Sequence, residues 1–128
     1  MFLLTKWYLD LVTREGTALI AYAARLRWGR LRMAYASVLV SEPSREAREA
    51  RAFGGGGSWP RLDGERLTWA QPRLGIDGTW ERAAPAIRRR LLKNDAGEIR
   101  WACEMPCARA SVTIGDRTFE GLGYVERL

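Results

Sequence analysis

The sequence predicts an all-β fold, an antiparallel up-and-down sheet of about eight to nine strands that curls into a barrel. Three observations carry this. Apolar and polar residues alternate with a period of two over one stretch after another, the pattern of strands with one buried face. The stretches are rich in β-branched and aromatic residues, which suit a pleated, half-buried surface. The turns between nearly all of them are too short for the crossover that parallel neighbours need, and closure of such a sheet removes its unpaired edges.

Residues 6–13 set Trp7, Leu9 and Leu11 against Tyr8, Asp10 and Val12, and Arg14-Glu15-Gly16 turns the chain. Residues 17–40 then read as one long hairpin bent at Trp28-Gly29-Arg30. The even positions Ile20, Tyr22, Ala24, Leu26 and Trp28 form its apolar face, continued after the bend by Leu31, Met33, Tyr35 and Leu39. Residues 41–52 differ: Ser44 can cap a short helix near 44–52 with Glu46, Arg48, Glu49 and Arg51 toward solvent, and a charged loop is the alternative. Residues 53–58 are read as a flexible Gly-rich loop, although the string GGGGS also matches an inserted linker.

Strand signals return at 66–70 after an Asp63-Gly64 turn. They continue at 74–81, with Leu74, Ile76, Gly78 and Trp80 together, and at 86–92, bounded by Pro85 and Asn94-Asp95-Ala96-Gly97. Residues 98–105, 108–114 and 118–128 complete the set. Gly75, Gly78, Gly121 and Gly123 inside strand patterns predict bends, bulges or close backbone approach.

A chain of 128 residues with 47% apolar and 28% charged residues fits one domain over 1–128 with a core of its own. No apolar run reaches the roughly 18–20 residues of a spanning helix, and the N-terminal patch lacks a basic leader, so a cytoplasmic protein without stable membrane insertion is expected. The formal charge of +6 comes from Arg scattered singly along strands, as on solvated faces. Arg88-Arg89-Arg90 would alternate faces, so no nucleic-acid partner is expected. His is absent, and Cys103 and Cys107 would lie about 13 Å apart along a strand, so two free thiols and no metal or cofactor are expected. With no His and no nucleophile elbow, hydrolase triads are excluded.

Residues 6–16 (KWYLDLVTREG), 22–37 (YAARLRWGRLRMAYAS), 66–80 (RLTWAQPRLGIDGTW), 99–110 (IRWACEMPCARA) and 119–128 (FEGLGYVERL) resemble the lipocalin-like (calycin) family that includes the bacterial carotenoid hydratase, or hydroxyneurosporene synthase. The resemblance is diffuse and contains no catalytic fingerprint. It implies a barrel whose apolar interior holds a hydrophobic small molecule such as an isoprenoid, a polyene or a lipid, with hydration, cyclisation or simple binding as its uses. Members of that family carry two consecutive domains of this kind and this chain matches one, so pairing with a second copy or domain, as in a homodimer, is a further expectation.

Acid-catalysed hydration or cyclisation needs a carboxylic acid in an apolar setting. Asp10, Glu104 and Glu126 are the candidates, and a solvated or Arg-paired carboxylate is the competing reading for each. Tyr22, Trp28, Tyr35, Trp80 and Trp101 are the candidate ligand-binding aromatics, on the expectation that they share the inner faces of their strands; filling the core is the alternative.

Overall fold

A computed structural model describes residues 1–54 and 58–128. Ten strands follow one another: β1 (Phe2–Thr13), β2 (Ala18–Trp28), β3 (Leu31–Ser41), β4 (Arg48–Phe53), β5 (Arg61–Asp63), β6 (Arg66–Gln71), β7 (Ile76–Arg82), β8 (Ile87–Asn94), β9 (Gly97–Ile114) and β10 (Arg117–Arg127). A 3-10 turn, Pro72–Leu74, ends on Gly75 in the left-handed region. The strands form one sheet in the order β4-β3-β2-β1-β10-β9-β7-β6-β5, with β8 beside β9. Every neighbouring pair is antiparallel. This is the all-β, up-and-down lipocalin-like barrel, except that no ladder joins β4 to β5 among the described residues, so hydrogen bonding does not close it. Among the same residues, no helix is long and apolar enough to cross a membrane.

Four expectations are corrected. No helix forms near residues 44–52. Ser44 takes a positive φ of 60° rather than the extended backbone of a cap, and residues 48–53 pair with β3 from Val40↔Arg48 to Tyr35↔Phe53. Arg51 reaches Glu49 at 2.9 Å, a contact between residues two apart that a strand permits and a helix does not. The stretches 98–105 and 108–114 are one strand, β9, whose register against β10 shifts twice, on either side of the Val125–Met105 pair. The loop expected at 53–58 begins later, since Phe53 ends β4, and Gly55 to Gly57 lie outside the described residues.

The fourth correction concerns which face points inward. One cluster of buried side chains fills the interior, and β2 contributes Leu19, Ala21 and Ala23 to it, the odd positions. Tyr22 and Trp28 lie on the opposite parity, as does Tyr35 beside the buried Ala36. Their rings run along the outside of the sheet: Tyr22 and Tyr35 meet edge to face at 6.1 Å, and Tyr35 meets Phe53 at 5.0 Å. Large outer residues made the outer face look apolar, and small or charged inner residues made the inner face look polar.

Cross-strand rows show what fills the inside. At one end Leu11, Leu19 and Val40 stand side by side on β1, β2 and β3. Two rows further on, Trp7, Ala23, Ala36 and Ala52 are aligned across β1 to β4, so three adjacent strands present only methyl groups. Beyond these come Thr5, Arg25 and Ala34, then Leu3, Arg27 and Arg32. The packed half thus gives way to a shelf of alanines and then to arginines.

Candidate ligand-binding site

The shelf opens a cavity of about 550 Å3. Ala23, Ala36 and Ala52 line its inner part, where side chains the size of leucine would have met, and Trp59 and Gln71 form the facing wall. Arg25, Arg27, Arg32 and Arg73 surround it, and no Asp or Glu lines it. The Arg25 guanidinium stacks 4.1 Å over the Trp59 ring, and Arg73 donates to the Phe53 carbonyl. Among the described residues none of these four arginines forms an ion pair. A small apolar chamber with unneutralised guanidinium groups at its wall suits an apolar body carrying an anionic group.

Of the five aromatics named from sequence, Tyr35 lines this cavity despite its outer parity, and Tyr22 and Trp28 do not. Trp80 is fully buried in the core and donates from Nε1 to the Asp10 carbonyl at 2.9 Å. Trp101 lines a second cavity of about 560 Å3, together with Thr5, Arg88, Arg89, Arg90, Arg100 and Arg127. The three consecutive arginines therefore meet in one cleft, contrary to the expectation that they would separate. The arginine set and the alanine row are what sequence reasoning missed. The signal was present in the odd positions of residues 19–27, read as the polar face.

Neither cavity is lined by Asp10, Glu104 or Glu126. Asp10 sits on the outer face, where the β1–β10 ladder is interrupted between Leu9↔Val125 and Val12↔Leu122. Its carboxylate accepts the Tyr124 backbone N–H at 2.8 Å and the Tyr8 hydroxyl at 3.1 Å, while its own carbonyl takes the Trp80 indole N–H. Side chains thus supply partners at the gap to the Tyr124 N–H and the Asp10 carbonyl in place of ladder bonds. Burial pushes the Asp10 carboxyl above its ordinary value, with the two donated hydrogen bonds opposing. Burial and the Asp10 charge push Tyr8 up to about 12.

Tyr124 donates to Glu126 at 2.8 Å and packs against Tyr8 at 6.1 Å between centroids. The Cys103 thiol lies within its reach and is raised chiefly by burial; Cys103 and Cys107 are both free. Asp10 and Glu126 thus belong to one tyrosine-linked cluster outside the barrel. Glu104 is fully buried, and its oxygens meet Arg127 at 2.7 Å, Arg88 at 3.0 Å and Arg82 at 3.6 Å. No group of three or more His, Cys, Asp or Glu able to hold a metal occurs among the described residues.

The raised Asp10 carboxyl gives a pH signature. Because the folded chain holds that proton more tightly than the unfolded one, it binds more protons just above the ordinary Asp value near 4, and stability falls as pH rises through that window. Asp10→Asn should remove this contribution. Urea midpoints of both proteins between about pH 4 and 7 test it, and parallel pH profiles would show that Asp10 titrates normally.

No protein-family profile and no curated protein matches the chain. Solved structures share its fold, among them the following two. A protein from Nitrosomonas europaea provisionally described as AttH superposes with a TM-score of 0.68 at 11% identity, over 97% of this chain and 49% of that one. Kievitone hydratase from Nectria haematococca superposes with a TM-score of 0.56, also at 11% identity, over 98% of this chain and 47% of that one. The chain spans about half the length of the structures it matches, and the likeness shows a shared fold.

Proposed function

We propose that the chain binds a lipid-like small molecule, an isoprenoid, polyene or fatty acyl chain with an acidic head, in the alanine-floored cavity. The observation that carries this is the row Ala23–Ala36–Ala52 beneath Arg25, Arg27 and Arg32. Three adjacent strands leave volume that leucines would fill, and the charges at its wall have no acidic partner among the described residues. Kinship with the carotenoid hydratase family agrees with this reading and is part of the proposal.

Hydration or cyclisation is the second reading, favoured by the fold shared with kievitone hydratase. It requires a proton donor at the cavity wall, and Asp10, Glu104 and Glu126 are elsewhere. Binding therefore has the stronger support.

The test is titration with cis-parinaric acid and with the corresponding alcohol, read by energy transfer from tryptophan. Saturable binding of both is expected, the acid being tighter. Ala36→Trp should abolish it by filling the shelf. Arg25→Gln with Arg32→Gln should weaken the acid by about tenfold or more and leave the alcohol nearly unchanged. Equal loss for both ligands would remove the anionic head from the proposal, and binding unaffected by Ala36→Trp would remove the cavity.

A further inference from the structure

Two arms extend past the last residues of β10, in the same direction. One is the corner of β1, β2 and β3 around the Gly29-Arg30 turn; the other is the β8–β9 hairpin around the Asn94–Gly97 turn. Both are well supplied with exposed apolar side chains. Phe2, Trp28, Leu31 and Met33 stand on the first, with Trp28 63% exposed, and Leu91, Leu92 and Ile99 on the second. Apart from Val12, Phe53, Ile87 and Leu122, every large apolar side chain left exposed among the described residues lies at this end. Concentration of this kind marks an interaction surface.

Charge says what would cover it. Residues 25–33 and 87–101 together carry nine Arg and Lys against two acids, Asp95 and Glu98, a surplus of seven that exceeds the net +6 of the chain. Between the arms lies the second cavity, walled by the three consecutive arginines, Arg100 and Arg127 around Trp101. Four of its five arginines are held in place: Glu98 takes Arg90 at 2.8 Å and Arg100 at 2.9 Å, and Glu104 takes Arg88 and Arg127. A preset cleft of guanidinium groups between apolar tips matches anionic head groups above acyl chains. Thr5 lines both this cleft and the alanine-floored cavity, so the two adjoin.

We infer that this end of the barrel docks on an anionic lipid surface, with the tips of the two arms at the acyl boundary and lipid phosphates in the arginine cleft. Docking there sets the mouth of the ligand cavity against the membrane, so that a lipid-like molecule passes between bilayer and barrel without crossing water. The surface reading stands on the arms alone and does not require the ligand proposal.

Co-sedimentation with ligand-free vesicles tests it. The chain should pellet with phosphatidylcholine vesicles containing about 30 mol% phosphatidylglycerol and remain in solution with phosphatidylcholine alone. Raising salt from about 0.1 to 0.5 M should release it. Arg30→Gln, Arg89→Gln and Lys93→Gln combined, side chains that hold no carboxylate among the described residues, should weaken binding by about two orders of magnitude, with circular dichroism confirming the fold. Leu91→Ser with Leu92→Ser should also release the chain. No pelleting, pelleting indifferent to phosphatidylglycerol, or binding unchanged in the triple variant would overturn the inference. So would a concentration-dependent dimer that Leu91→Ser with Leu92→Ser converts to monomer, since a second copy would then cover the arms. Because the vesicles carry no parinaric acid, failure here leaves the cavity titration standing, and the reverse holds too.

Discussion

Gly123→Val is expected to remove a large share of the fold's stability, about 3 kcal/mol or more from a total that for such domains is roughly 5–15 kcal/mol. The reason is the ladder gap at Asp10. A Cβ on Gly123 would fall on the Asp10 carbonyl oxygen and lie 3.1 Å from Trp80 Cδ1. Neither can give way. The Asp10 carbonyl is held by the Trp80 indole, and β1 is pinned on both sides of the gap by Leu9↔Val125 and Val12↔Leu122. Gly121 repeats the arrangement one step along, where a Cβ would fall on the Val12 carbonyl oxygen. Urea denaturation followed by circular dichroism reads the loss. A variant with an unchanged midpoint would mean that β10 sits further from β1 than described.

Glu104→Ala is the other large effect, an expected loss of about 3–5 kcal/mol. The carboxylate is fully buried, and removing it leaves Arg82, Arg88 and Arg127 facing one another with nothing between them. Arg127 would keep only its stacking on Trp7, at 5.0 Å from the ring. The effect should be largest in β8, whose residues are all exposed and which Glu104 ties to the barrel through Arg88. Amide exchange there should therefore accelerate most. Glu98→Ala is the comparison, because Glu98 holds Arg90 and Arg100 at the surface, where solvent screens the pairs, and its loss should cost far less. Equal losses from the two variants would show that the buried cluster contributes no more than a surface pair.

The antiparallel order and most turns were legible in the sequence, because period-two alternation and Gly-Asp or Asn-Asp turns are local signals; eight to nine strands were expected where ten form. The inward face of β2 and β3 was not. Period two says that two faces differ, and residue size normally says which is buried; where the interior holds space, that rule inverts. Ala21, Ala23 and Arg25 then occupy the inside while Ile20 and Tyr22 lie outside. Four half-open side chains, Tyr8, Tyr22, Tyr35 and Tyr124, cover that outer surface instead.

Glu104 was named as a candidate acid from its neighbours in sequence, yet its setting depends on the two register shifts of β9. These place Ala102, Cys103, Glu104 and Met105 all out of solvent, which no strict alternation allows. Its partners Arg82, Arg88 and Arg127 come from three other strands, so no window of sequence contains the cluster. β4 was obscured for a different reason. Its charged residues face solvent at the edge of the sheet, where a strand and a charged helix have similar composition.

The pairing of β1 with β10 also sets the order in which this molecule can assemble. Trp7 meets Arg127 and Thr13 meets Gly121, so β1 is completed by a strand made long after it. Until residues 121–127 have left the ribosome, β1 offers one unpaired edge, and its aliphatic inner row lacks the cover of β10. Contacts between such distant parts of a chain lower the folding rate, because a large loop must close before any stabilisation is gained. The hairpins β1–β2–β3 and β6–β7 can form early from neighbouring residues; the β1–β10 seam, with its indole and carboxylate substitutions, is the last join and the step at which a nascent chain is most exposed to association with another.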